Sequence, residues 1–178
     1  MGVRGRRRGI ALLALAVGAT GCSMPQPPVG RAHFAQHRAL AVADLWDPCA
    51  GIPENILTDA GFDPGTKDHQ AVSTAGKGDK GCRWTGPGGM LDAFSHTLPL
   101  RQLSGVVDFL DELTPVVIDE RSATETRDPA HGTCGVGFDS IEGTVFLQIT
   151  GRSPEAIDRA CTQVTALTRK LRVHLPAN

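Results

Sequence analysis

Five cysteines carry the most reactive chemistry in this chain: Cys22, Cys49, Cys82, Cys134 and Cys161. In an exported protein thiols oxidise in pairs, so an odd number leaves one over that needs another use. The other reactive side chains are thinly arranged. His33 and His37 would share one helix face as metal ligands, but no third ligand stands at a suitable spacing, and they read as exposed polar groups. Asp111-Glu112 and Asp119-Glu120 place carboxylates side by side, whereas glycoside hydrolysis needs two acids facing each other across a sugar bond. Neighbours in sequence point different ways on a helix or strand, so both pairs read as solvated faces. The chain contains no G-x-S-x-G, S-x-x-K or H-E-x-x-H pattern and no dinucleotide or P-loop glycine pattern. GKGDKG at 76–81 lacks the Ser or Thr that follows a phosphate-loop lysine and reads as a solvated loop. No cofactor and no metal are expected.

The use of the fifth cysteine follows from where it stands. Arginines at positions 4, 6, 7 and 8 precede an apolar run over 10–17 and then small residues up to Gly21. That is the layout of a secretory signal, and the run is shorter than the roughly 20 apolar residues a membrane-spanning helix needs. The stretch LAVGATGC resembles a bacterial lipobox, with Ala19 where leucine is usual and Cys22 as the acylated first residue of the mature protein. A diacylglyceryl thioether uses up the odd thiol and anchors durably, because each buried CH₂ adds about 0.8 kcal/mol. The expected organisation is a lipoprotein signal peptide over 1–21, a proline-containing tether over 22–44 and one globular domain over 45–178. The mature chain has 14 basic and 19 acidic residues, a formal charge of −5. Nucleic-acid partners are thereby disfavoured, since they need a basic face to release counterions.

The domain's elements follow from capping residues and apolar spacing. Asp47 and Pro48 suit an N-cap and first helical position, and Ile52, Ile56, Leu57 and Ala60 form a helical stripe that Gly61 closes. Residues 63–81 read as a polar surface loop with one edge strand, and CRWT and LDAFSHTL as strands joined across Gly86-Pro87-Gly88-Gly89. Residues 104–113 predict a helix capped by Ser104 and ended by Pro115. PVVIDE reads as a strand, and RSATETRDPAHG as a polar connection. In TCGVGFDSIEGTVFLQIT, Cys134, Val136 and Phe138 alternate on one strand and Val145, Leu147 and Ile149 on the next, which predicts a core hairpin. Ser153 and Pro154 open a helix whose inward stripe is Ile157, Cys161, Val164, Leu167 and Leu171. The expected fold class is α+β, a mainly antiparallel sheet packed by helices.

Cys49, Cys82, Cys134 and Cys161 allow three disulfide pairings, and their positions alone do not select one. Local pairing, Cys49 with Cys82 and Cys134 with Cys161, would close loops of about 30 residues, each contributing about 3 to 4 kcal/mol. A metal site is the lesser reading because no two of them are spaced C-x-x-C. DPC at a helix start, GCRW, CGVGF and the closing CTQVTALTRKLRVHLP, in that order, resemble an actinobacterial family of cell-envelope lipoproteins built on a domain of unknown function. The resemblance covers residues 45–176 and implies a lipidated outer-face protein with those two local disulfides; it brings no catalytic residues. Gly51 and Pro53 depart from the family's first helix and bear on its length.

Trp46 and Trp84 have the faces to line a sugar or lipid pocket, but beside Cys49 and Cys82 they read as packing against a disulfide. The expected function is a non-catalytic, membrane-anchored module on the extracytoplasmic face, binding an envelope lipid, a cell-wall ligand or a partner protein. A hydrolase of envelope material is the alternative.

Overall fold

The computed structural model describes residues 40–69, 80–103 and 113–177. They belong to the unit His37–Asn178; the signal segment, Cys22, both tether histidines, residues 70–79 and the stretch 104–112, on which the Ser104 helix was expected, lie outside the described residues.

Seven strands form one antiparallel sheet in the order β1-β2-β3-β7-β6-β5-β4. They are β1 (Asp63–Asp68), β2 (Lys80–Gly86), β3 (Gly89–His96), β4 (Leu113–Ile118), β5 (Arg121–Asp128), β6 (Thr133–Ser140) and β7 (Gly143–Gly151). The sheet is two meanders, β1 to β3 and β4 to β7, joined where β3 and β7 pair over their full lengths, from Gly89 with Gly151 to His96 with Thr144. Among the described residues four α-helices accompany it: α1 (Pro48–Gly51), α2 (Glu54–Asp59), α3 (Leu100–Leu103) and α4 (Ile157–Leu171). The fold is therefore the expected α+β class.

Alternation decides which side chains meet. Register places Cys82 and Trp84 of β2, Leu91 and Ala93 of β3, Val145, Leu147 and Ile149 of β7, and Cys134, Val136 and Phe138 of β6 on one face. All are buried, and they share the main core with Cys161, Val164, Leu167 and Leu171 of α4. The intervening residues Phe94 and Phe146 point to the opposite face, stack with centroids 5.1 Å apart and form a second cluster with Leu100 and Leu103 of α3. A Cβ at Gly135 or Gly137 would strike the Phe146 ring, so these two glycines make room for it.

The disulfides are Cys49–Cys82, which fastens α1 to β2, and Cys134–Cys161, which fastens β6 to α4. Asp47 caps α1 by accepting the Cys49 backbone N–H at 2.9 Å, as its type and position predict. Helix α1 stops at Gly51 because Ile52, which precedes Pro53, is held extended, and Gly51 itself leaves the space that the Trp46 indole fills. One expected helix is thus two short ones, the second closed by Gly61 at φ +85°.

Three local expectations are corrected. The polar segment after Glu120 is strand β5, not a connection: it pairs with β4 and β6 on both sides, and Ala123 and Thr126 are buried within it. Its polar composition suits a strand flanked by an edge and partly open to solvent. The expected strand PVVIDE is β4 with shifted bounds: it begins at Leu113, and Asp119-Glu120 turn out of it, while Pro115, with its missing donor on the open side of an edge strand, lies within it as read. Ser153 makes no side-chain bond to the backbone of the last helix, which begins with a 3₁₀ turn, Pro154–Ala156, before α4.

Candidate functional site

The register fixes which loops share an end of the sheet. His96 faces Thr144, Ser140 faces Gly143 and Ile118 faces Arg121, so the β4–β5 turn, the β6–β7 turn and the exit from β3 lie at the same end. The described chain enters there too: Lys80 Nζ, at the start of β2, donates to the carbonyls of Ala43 at 3.1 Å and Leu45 at 2.6 Å. The exposed large hydrophobic residues of the described chain, Val42, Val117, Ile141 and Val173, all sit at or beside this end.

Between α3 and the β6–β7 hairpin at this end is an open cleft of about 440 Å³, lined by Leu40, Leu98 and Pro99 and bordered by Arg101 and Gln102. Its size falls in the range of small-molecule sites. The floor is polar but internally bonded. Asp139 Oδ1 accepts the Leu100 backbone N–H at 2.8 Å and fixes the first turn of α3 against the sheet. The Thr144 hydroxyl lies 2.6 Å from the same oxygen and 2.7 Å from the Leu98 carbonyl, and its one proton serves one of them at a time. The Ser140 hydroxyl donates to Gly143 O at 2.6 Å. Gly143, at φ +98°, has no space for a Cβ, which would come within 2.5 Å of both the His96 carbonyl and a Leu45 methyl. The β6–β7 turn thus seals the entering chain against the end of β3.

The serine hydroxyls beside this end are committed to backbone oxygens, Ser95 to Trp46 O and Ser140 to Gly143 O, and neither bond reaches a histidine. The His96 ring accepts the Leu98 N–H at Nδ1, which assigns its proton to Nε2. What the arrangement offers a ligand is an apolar wall with a polar floor, which favours an amphipathic molecule over a purely polar one.

The residues singled out by sequence fall elsewhere. Trp84 is wholly buried and Trp46 nearly so, both in the main core with the Cys49–Cys82 pair; neither lines the cleft. The His69 ring and the sulfurs of Cys49 and Cys82 lie within 4.8 Å of one another, as do a Glu125 oxygen and the sulfurs of Cys134 and Cys161. Both sulfur pairs are covalently joined, so they present no thiolate to a metal. Asp119 and Glu120 form the two-residue turn between β4 and β5, both with positive φ, and Asp119 approaches Arg169 at 3.8 Å. No sequence signal marked the cleft, because residues 40, 97–102 and 139–144 converge only through the β3–β7 pairing.

No helix among the described residues is long and apolar enough to cross a membrane. Comparison with curated proteins and with solved structures finds no match. A family model described as "Protein of unknown function (DUF3558)" matches residues 17–172, which include every strand and all but the final turn of the described domain. With that span and the order of its cysteine motifs, the chain belongs to this family of proteins of unknown function.

Proposed function

We propose that the protein is a lipid-anchored extracytoplasmic binding module of an actinobacterial cell envelope, held at the membrane through Cys22, whose cleft between α3 and the β6–β7 hairpin takes an amphipathic envelope ligand. The observation that carries this reading is the gathering of the apolar-walled cleft and the exposed aliphatic residues at the end where the chain enters through Leu40. A tether that ends beside the cleft holds it near the lipid surface. The 17 residues between Cys22 and Leu40 span about 55 Å when extended, so the domain can dock on the bilayer or stand off from it. The internally satisfied floor supports binding rather than turnover, since its hydroxyls are already bonded to backbone or carboxylate oxygens.

Native mass spectrometry of protein extracted from its own membrane is the direct test, with acylation and a retained small amphiphile expected together. Gln102 is exposed at the rim, so Gln102→Trp fills the cleft without touching the core, and it is expected to abolish the retained mass. Extraction of a bare protein by both wild type and variant refutes the ligand, and an unmodified Cys22 refutes the anchor.

A further inference from the structure

A second cleft, of about 300 Å³, lies between the β4–β5 turn and the C-terminal end of α4. Two arginines line it, Arg121 at the start of β5 and Arg172 just past α4, together with the Thr168 side chain and an apolar wall of Ile118, Val173 and Leu175. Arg121 is unusual in how little meets its charge. Its Nη2 donates to the Pro176 carbonyl at 2.8 Å, and its guanidinium carbon lies 4.4 Å from the centre of the Phe138 ring. Its Nη1 is buried and has no hydrogen-bond partner, and among the described residues no carboxylate pairs with it. The one carboxylate lining the cleft, Asp119, approaches Arg169 instead, at 3.8 Å.

We propose that this cleft binds a small amphipathic anion, a phosphate or carboxylate head on an apolar stem, with Arg121 and Arg172 holding the head and Ile118, Val173 and Leu175 the stem. A half-buried cation normally has an acceptor for each donor, because an unmet buried donor forfeits its hydration without return. Burial lowers the Arg121 pKa from its ordinary value, consistent with a cation that lacks a counter-charge. Fastening the C-terminal tail through Pro176 uses only Nη2 and does not explain the presence of Arg172 in the same cleft. Planar guanidinium groups favour oxyanions geometrically, and two of them exceed what a neutral ligand would need. The site is separate from the α3 cleft and does not depend on the function proposed for it.

Titration calorimetry of the full chain with butyl phosphate, pentanoate, inorganic phosphate and butanol tests the proposal. Saturable binding is expected for butyl phosphate, pentanoate or both, weaker binding for inorganic phosphate and none for butanol. Arg172 is exposed at the rim, and Arg172→Ala should weaken the bound anion about tenfold, the usual cost of a lost charge-assisted bond. Arg159→Ala, which removes the same charge from an exposed position remote from the cleft, should leave binding unchanged. Arg121→Met should abolish binding with an unaltered circular dichroism spectrum; if that variant does not fold, the Arg172 and Arg159 pair decides alone. The proposal is overturned if neither amphipathic anion binds saturably, if butanol binds as well as they do, or if Arg159→Ala and Arg172→Ala weaken binding equally.

Discussion

Gly51 shows how one absent side chain places another. Its backbone lies so close to the Trp46 indole that any Cβ would overlap the ring, and Trp46 in turn belongs to the core around Cys49–Cys82. Gly51→Ala is expected to cost about 1–3 kcal/mol by overpacking. Urea denaturation with an unchanged slope would check it, and a midpoint equal to wild type would count against this account. Ser153 is informative in another way. Its hydroxyl hydrogen-bonds the Glu155 carboxylate, which holds that group below the usual carboxylate range, aided by the Glu155 backbone N–H. A carboxylate with a lowered folded pKa adds stability that is present above its ordinary pKa and is lost as pH falls through the folded value. Ser153→Ala is therefore expected to raise the Glu155 pKa toward the ordinary range, as read by carbon-13 titration, and to make folding slightly less acid-sensitive below it. The residue types here were legible: serine before proline signalled a helix start. Whether the hydroxyl would accept a backbone N–H or donate to a side chain was not, since a hydroxyl can do either.

At the scale of elements, the disulfides join pieces that the sheet's own hydrogen bonds do not. Cys134–Cys161 links the start of β6 to the inward stripe of α4, and Cys49–Cys82 links the short α1 to β2. Helices of four and six residues have little stability of their own, so α1 and α2 depend on such anchoring more than α4 does. Replacing Cys134 and Cys161 together by alanine is expected to remove about 3–4 kcal/mol, lowering Tm on the order of 10 °C. Thermal unfolding followed by circular dichroism measures it; a change of a degree or two would mean the loop adds little constraint to the unfolded chain. The strands with clean alternation, β6 and β7, were readable because one face is uniformly apolar. Strand β5 was not, because its polar residues look like a loop until β4 and β6 pair with it on both sides.

For the whole molecule, the proposed function assigns attachment to Cys22 and binding to the domain. If Cys22 carries the proposed anchor, Cys22→Ala should move the protein from the membrane pellet to the soluble fraction, since a durable hold needs two chains. A variant that stays in the pellet would transfer the hold to the end of the sheet that carries the β6–β7 turn, where Val42, Ile141 and Val173 are exposed. The sequence by itself determined the α+β class, the long last helix, the central hairpin and the four cysteines of the core, because capping residues and apolar periodicity are local and survive in one dimension. It also carried an odd fifth cysteine, Cys22, on which the proposed anchor rests. Only the tertiary structure decided the strand order, the second apolar face built on Phe94 and Phe146, and both clefts. The pairing of β3 with β7 joins residues some fifty positions apart, and the walls of each cleft come from segments that share no local pattern. Their meeting depends on the long-range register of the sheet, which no spacing along the chain encodes.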